Sequence, residues 1–360
     1  PVLISQAEQT TTDLIRRKWM KNDFYGVVYS VNYKKKRIEA VVGGGMNNYL
    51  GDHFGRLQWM QYNAGTEKDH QWYFNDAVKG EYSIYGKVSY KLNEKLTGFG
   101  DLQYRHITYK MNGYDDDFKD ITQSHSFDFL NPKAGIFMSV TPSQDAYLSF
   151  SVAHREPTRA NFKDAAGDPS ATPRHETLYD MEAGYLLKAN RLKLGLNAFY
   201  MFYRDQLVPT GELSDVGYPI MTNVGKSYRR GIEITMDLKP LAAVSWNVSA
   251  TMSSNKIHDY IEYYTDYNTS DWSSQYMSKY HGRVDIAYSP GLTGISDLTY
   301  ALSEKMSFHF ISKYVGKQYF DNTMSGARML DPYFVNNLRM DLEPEIKMIR
   351  KPEMQILVNN

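Results

Sequence analysis

The chain has 360 residues, with 41 basic and 41 acidic side chains in balance, so no global field draws it to nucleic acid or to an anionic surface. The absence of cysteine excludes disulfides, thiolate nucleophiles and cysteine-ligated metals. A mean hydropathy of −0.54, with no run near the ~18–20 apolar residues of a spanning helix, leaves open a barrel, whose strands need only ~9–11 residues and hide every second one from lipid. The 30 tyrosines suit a wall with aromatic belts at two interfaces, where a ring sits in lipid and its hydroxyl in water.

The first alternating segments are 22–33, with Val27, Tyr29 and Val31 on one parity, and 36–44, with Ile38, Ala40 and Val42. Lys34-Lys35-Lys36 joins them. Segment 80–92 aligns Tyr82, Ile84, Val88, Tyr90 and Leu92, and Asn93-Glu94 turns it into 95–110. Segments 130–140 and 145–155 follow, then 177–188, which aligns Tyr179, Met181, Ala183, Tyr185 and Leu187. The clearest is 191–206: Leu192, Leu194, Leu196, Ala198, Tyr200 and Phe202 share one parity, while Lys193, Gly195, Asn197 and Tyr203 share the other. Segment 227–239 sets Ile232, Ile234, Met236 and Leu238 against Glu233, Thr235 and Asp237, and 243–256 sets Trp246, Val248, Ala250 and Met252 against Asn247, Ser249 and Thr251. The last are 278–289 (Val284, Ile286, Tyr288), 303–316, 333–343 and 353–360. Side chains alternate across a strand, so these segments, about fourteen in number, describe an all-β, antiparallel transmembrane barrel wall with one apolar and one polar face.

The connections are of two alternating kinds. One set is mostly short turns, with 290–302 and 344–352 as longer members; the other is long and rich in Tyr, Trp, Asp, Asn and Gly, over 46–79, 111–127, 157–175, 207–225, 257–277 and 317–332. Such asymmetry is expected when one rim faces the periplasm and the other faces outside. No helix and no low-complexity or solenoid repeat is evident. Arg230 shares parity with Ile232 and Ile234; a midplane arginine on the lipid face costs ~2–4 kcal/mol, so Arg230 is expected at the outer rim, snorkelling to lipid phosphate. The chain opens on Pro1 without a basic-then-apolar leader and stops at Leu357-Val358-Asn359-Asn360 in what reads as mid-strand, so a processed or partial product is expected.

The ordered set Leu14–Gly26 (LIRRKWMKNDFYG), His154–Phe162 (HREPTRANF), Tyr185, Asn223-Val224-Gly225 leading to Gly231-Ile232-Glu233, Tyr314-Val315-Gly316 and Val358-Asn359-Asn360 resembles the barrel half of a TonB-dependent outer-membrane receptor of the Bacteroides-lineage type. The resemblance covers essentially the whole chain. It implies a barrel of about 22 strands with a plugged lumen, of which residues 1–360 are a partial barrel domain, without the plug, roughly seven initial strands and the closing strand. It further implies import of a scarce solute, such as an iron-siderophore or cobalamin, captured by outer loops and admitted when the TonB complex pulls on the plug. The implied partners are outer-membrane lipid and lipopolysaccharide, the plug, the TonB complex, the small-molecule ligand and a surface lipoprotein. No cofactor and no nucleic acid are expected.

In that family the Arg155-Glu156-Pro157-Thr158-Arg159 segment lies close to the ligand pocket, where Arg155 or Arg159 would hold an anionic ligand through charge-assisted hydrogen bonds. The alternative is that the segment fixes a rim bend and its charges pair with neighbours. The loop aromatics Trp59, Trp72, Tyr73, Tyr114, Tyr264 and Trp272 are candidates for a stacking funnel, or for an outer girdle and loop packing. Asp115, Asp116 and Asp117, with Asp120, offer oxygens for calcium but lack the Gly and terminal Glu of an EF-hand, so a solvated acidic loop is the plainer reading. Gly43-Gly44-Gly45 lacks the Lys-Ser/Thr of a phosphate loop and reads as room for a bulge or close packing at a strand end. Glu182, Lys193, Asn197, Glu233, Asp237, Arg283, Asp285 and Arg339 are expected on a wetted lumen face that grips the plug. Rival readings are a barrel hydrolase, which would need a Ser/His/acid or paired-carboxylate set at one strand level, a soluble all-β glycan-binding protein, and an open porin.

Overall fold

The computed structural model describes residues 11–62, 65–166, 171–213, 217–268, 270–271, 273–345, 348–350 and 352–360. Its wall consists of β1 (Leu14–Lys35), β2 (Ile38–Met60), β3 (Gln71–Lys91), β4 (Leu96–Gly113), β5 (Gln123–Thr141), β6 (Gln144–Arg155), β7 (Glu176–Lys188), β8 (Leu192–Leu213), β9 (Pro219–Leu241), β10 (Val244–Tyr267), β11 (Ser274–Asp285), β12 (Leu292–Ser303), β13 (Met306–Val315), β16 (Tyr333–Leu342) and β17 (Met354–Val358). A helix α1 (Arg159–Asp164) and a small ladder of β14 (Gln318–Tyr319) with β15 (Met329–Leu330) stand apart from it. The wall strands pair antiparallel in chain order, and β11 and β12 both lie against β10, along different stretches of it. Counted as one interrupted strand, they bring the wall to the fourteen strands expected. Among the described residues no second large sheet packs over it, as a soluble sandwich would require, and no helix is long and apolar enough to cross a membrane.

The two faces follow from register. Leu192, Leu238, Trp246, Leu298, Phe310, Leu338 and Val358 are successive partners across seven strands, an unbroken apolar row on the outward face. One residue along, Lys193, Asp237, Asn247 and Asp297 form a polar row on the inner face. Large apolar side chains such as Leu196, Ile232, Ile234 and Met252 stand exposed on the outward side, the arrangement of a wall solvated by lipid. The buried apolar clusters lie elsewhere: Val208, Val224, Ile257, Tyr260, Val284 and Ile286 in one, Ala77, Tyr109, Met111 and Phe162 in the other, both toward the ends of the strands remote from the short turns.

Several expectations are corrected. Residues 290–302, expected as a long turn, are mostly strand β12, and the strand expected over 278–289 stops at Asp285. Tyr288 adopts φ 53° and Pro290 has no N–H, so the ladder breaks there. Its backbone is stitched instead by Ile286 N donating to Asn255 O (3.1 Å), Ala287 N to Asn322 Oδ1 (2.8 Å) and Tyr288 N to Tyr319 O (2.9 Å). Much of the long connections is paired strand, because β1–β4 and β8–β11 continue as tall hairpins. Beyond the bilayer both faces meet water or protein, so hydropathy stops alternating while pairing goes on. Gly43-Gly44-Gly45 lies inside β2 rather than at a strand end, and close packing is its role: the Tyr85 and Tyr29 rings lie on Gly43 and Gly44.

Candidate functional site

After Arg155 the chain leaves the wall and folds back onto its inner face. Thr158 caps α1 in a reciprocal box with Asn161, whose Oδ1 accepts from Thr158 N (2.9 Å). Asn at that third helical position, in place of Glu or Gln, kept this one-turn helix from being read in the sequence. Phe162, fully buried, stacks on His125 (3.9 Å between centroids) and meets Tyr109 and Phe127. The aromatic column continues through Phe129 to His154, stacked at 5.2 Å. Segment 156–164 is thereby held against the inner wall of β3–β5.

The charges of this segment converge on Asn75, a fully buried side chain of β3. Its Oδ1 accepts from Arg159 Nη2 (2.6 Å), and its Nδ2 donates to Tyr114 O (3.0 Å) and Asp115 Oδ1 (3.4 Å). Lys163 Nζ lies 2.7 Å from Asp115 and Arg159 3.8 Å from it. Burial alone would raise the Asp115 pKa, but the Lys163 ammonium and the Arg159 guanidinium outweigh it and hold the carboxyl below its usual range. At Lys163 burial acts to lower the pKa, and Asp115 more than reverses it. Below them Glu156 accepts from Lys79 (2.7 Å) and lies 3.6 Å from Arg105, which makes a two-pronged contact with Glu81 (2.9 and 3.2 Å). Burial would raise the Glu156 pKa too, and Lys79 brings it down.

The aromatic candidates divide. Trp72 and Tyr73 meet edge to face at 5.0 Å, and the Trp72 indole donates to Asp116 O (3.4 Å). A register shift between Gly55 and Arg56 makes room for this, since any side chain at Gly55 would collide with the Trp72 ring. Thus Trp72, Tyr73, Tyr114, Asp115, Asp116 and Arg159 gather around Asn75, which sequence reasoning missed. Arg155 stands apart, paired with Glu176, which also accepts from Leu207 N (2.9 Å). Trp59 and the Tyr114 ring are exposed, Tyr264 lies on the β10–β11 hairpin opposite Met277, and Trp272 falls outside the described residues.

The acidic run is not one solvated loop. Asp115 is buried, Asp116 pairs with Lys18, Asp117 Oδ1 accepts from Lys119 N (3.1 Å) and Asp120 Oδ1 from Thr122 N (2.9 Å). Among the described residues no group of three or more His, Asp or Glu is placed to hold a metal ion.

On the inner face, Asn197 links Tyr147 Oη (2.9 Å) to Glu233 (3.3 Å), with Glu182 on the same side. Lys193 faces Asp237, and Arg339 Nε donates to Asp341 (3.2 Å) beside His309. Arg283 and Asp285 are the exception. Val284 and Ile286 are buried in the inner cluster, and Asp285 pairs with Lys256 (2.6 Å) in the row of Tyr228, so both charged residues stand on the outward face. Val284 and Ile286 pack inward with Val208, Val224 and Ile257, so the apolar parity of this strand marks buried protein and not lipid, which reverses the faces read from the sequence; the bulge in which His258 and Asp259 oppose Arg283 lies beyond the Lys256–Asp285 pair. Arg230 is exposed with its guanidinium over Tyr228 (5.2 Å).

A two-faced antiparallel wall with an outer vestibule defines a membrane-spanning barrel protein. The family model described as TonB dependent receptor-like, beta-barrel matches residues 5–359, and the chain belongs to that family, whose place is the outer membrane. Among solved structures it is similar to the copper transporter OprC (TM-score 0.70, 14% identity, 96% of this chain and 51% of that one). It is similar also to the unliganded ferric citrate transporter FecA (0.68, 13%, 98% and 51%) and to the siderophore receptor PiuA from Acinetobacter baumannii (0.67, 12%, 95% and 52%). Identities this low speak to fold alone, and the chain spans about half the length of these structures. No curated protein sequence matches it significantly.

Proposed function

We propose that this chain is the barrel wall of an energised importer that takes a scarce solute, an iron-siderophore, cobalamin or a similar compound, across the outer membrane. The observation that carries the reading is the vestibule: one buried carboxylate, Asp115, faces two cations, Arg159 and Lys163, and Arg159 Nε is buried without a hydrogen-bond partner among the described residues. The unmatched guanidinium edge suits an anionic group on the solute, with Trp72 and Tyr73 supplying rings, and the exposed Trp59 and Tyr114 and the half-buried Tyr264 making earlier contacts. Arg155 would join only by exchanging its partner Glu176. The polar inner rows would face a plug moved by the TonB complex. Strands β1 and β17 each have one neighbour, and hydrocarbon cannot satisfy an unpaired edge, so further strands would close the wall. The test is uptake of radiolabelled ferric siderophores and cobalamin by cells with and without the full-length receptor. Uptake that requires the receptor and stops with a protonophore is expected; conductance through an open pore, or receptor-dependent uptake indifferent to the protonophore, would overturn it.

A further inference from the structure

A second group of rings lies apart from the Asn75 centre, where β6 ends and β7 begins. His154 and His175 flank the connection between these strands, and their rings stand 5.9 Å apart, tilted by 55°. The buried Phe129 ring supports both, at 5.2 Å from His154 and 5.3 Å from His175, and Phe127 meets His175 edge-on at 6.2 Å. His175 is exposed, and among the described residues its ring makes no hydrogen bond. Packing alone does not call for two imidazoles beside phenylalanine, since a carbon ring fills the same space without polar atoms to satisfy.

Hydrogen bonds fix which nitrogen of His154 is free. Asn131 donates through Nδ2 to Gln103 Oε1 (3.1 Å), so its Oδ1 is left to accept, and this oxygen lies 2.8 Å from His154 Nδ1. Nδ1 therefore carries the proton and Nε2 the lone pair. An imidazole whose other N–H is held by a fixed oxygen is how metal-ligating histidines are oriented and made more basic. The spacing agrees. With ~2.0–2.1 Å from metal to nitrogen and about 1.1 Å more to the ring centre, two imidazoles on one ion have centres roughly 4.5–6.4 Å apart, depending on the angle between them. The 5.9 Å between His154 and His175 lies inside that range. Glu176, beside His175, is already taken by Arg155 and Leu207 N (2.9 Å), so the pair offers nitrogen without oxygen. That donor set suits borderline ions rather than calcium or magnesium, and Cu²⁺ binds most strongly in the divalent series. Among the described residues no third His, Asp or Glu completes the site, which leaves coordination positions open.

We propose that His154 and His175 form an open binding site for a divalent transition-metal ion, Cu²⁺ foremost, whose remaining coordination positions are filled by water or by the small chelator that carries it. Asn131, backed by Gln103, is a positioning residue: it holds the His154 tautomer and does not touch the ion. With no cysteine in the chain, no thiolate competes for the metal. The site is separate from the cations at Asp115 and does not depend on import.

The test is equilibrium dialysis and electron paramagnetic resonance of the full-length receptor, purified without a polyhistidine tag, stripped with a chelator and offered copper(II) sulfate or calcium chloride. Retention of Cu²⁺ with hyperfine splitting from two imidazole nitrogens, and no retention of Ca²⁺, is expected. His154→Gln and His175→Gln should each lose the two-nitrogen signature. Asn131→Leu should weaken Cu²⁺ binding about 10–100-fold, while Asn131→Asp, which still accepts from Nδ1, retains it; heat-modifiable migration on gels confirms folded barrels. A copper signal without two nitrogens, equal retention of Ca²⁺, an unchanged signal in folded His175→Gln, or an unchanged affinity in folded Asn131→Leu would each overturn the site. If His154→Gln fails to fold, the exposed His175 still decides. These readouts report binding to the purified receptor, so losing the site leaves the importer reading in place, and uptake that ignores a protonophore leaves the site in place.

Discussion

At the scale of single residues, Asn75 holds the vestibule together, being the acceptor for Arg159 and the donor to Tyr114 and Asp115. Replacing it with alanine leaves a buried guanidinium N–H and a buried carboxylate oxygen short of a partner, at a cost of about 1–3 kcal/mol for each group left unmatched. Asn75→Ala is therefore expected to loosen segment 156–166 without unfolding the wall, seen as faster protease cleavage there and weaker solute binding; unchanged cleavage would refute its role as a hub. The partners of Asn75 were legible because Arg, Trp and clustered Asp in an outer loop stand out by type. Asn75 did not, since a polar residue on the inner parity of a strand has no local mark, and its three contacts come from segments about forty and eighty positions away. Arg283 and Asp285 fail differently. Their residue types were read correctly, but the apolar residues that alternate with them, Val284 and Ile286, are buried in the inner cluster and not against lipid, so the two faces are exchanged.

The element most exposed to conditions is α1 with the turn before it, docked by Phe162 and by ion pairs from Asp115 to Lys163 and from Glu156 to Lys79. Both carboxyls have pKa values below their ordinary ones, so the docked state binds fewer acid protons than the released one. The stabilisation they give is fully present above the free pKa values of about 3.9 and 4.3 and is lost as pH falls through the lowered, docked values. Protection of 156–166 against an acid-active protease should thus be flat from pH 7 to about 5 and fall below about 4. Asp115→Asn should flatten much of that fall; protection that declined instead between pH 7 and 5 would implicate His125 or His154 in its place. The broken wall strand shows the complementary limit of sequence reading. Ser289-Pro290-Gly291 carries the signature of a turn, and only Asn322 and Tyr319, folded in from a later loop, show that it is a bend within a continuing strand.

For the whole molecule, lipid is the solvent that writes the pattern. Where hydrocarbon wets one face, every second residue is apolar, and the face taken by each residue of β8, β9 and β10 is legible in the sequence alone. Above Asp205, whose φ of 52° turns the strand, Gln206, Leu207 and Val208 are all buried and the alternation ends. The absence of native cysteine makes this boundary directly measurable, because single cysteines introduced from 192 to 208 can each carry one spin label. Labels at 194, 196, 198 and 200 should be relaxed by oxygen dissolved in lipid, and those at 193, 195 and 197 by an aqueous nickel chelate. The alternation should fade between 204 and 208. A charge obeys the same map: Leu196→Arg should impair insertion, at ~2–4 kcal/mol for a lipid-facing arginine, while Asn197→Arg is tolerated. Equal aqueous relaxation at both parities below 202 would mean that the row from Leu192 to Val358 faces water, and the barrel reading would fall with it.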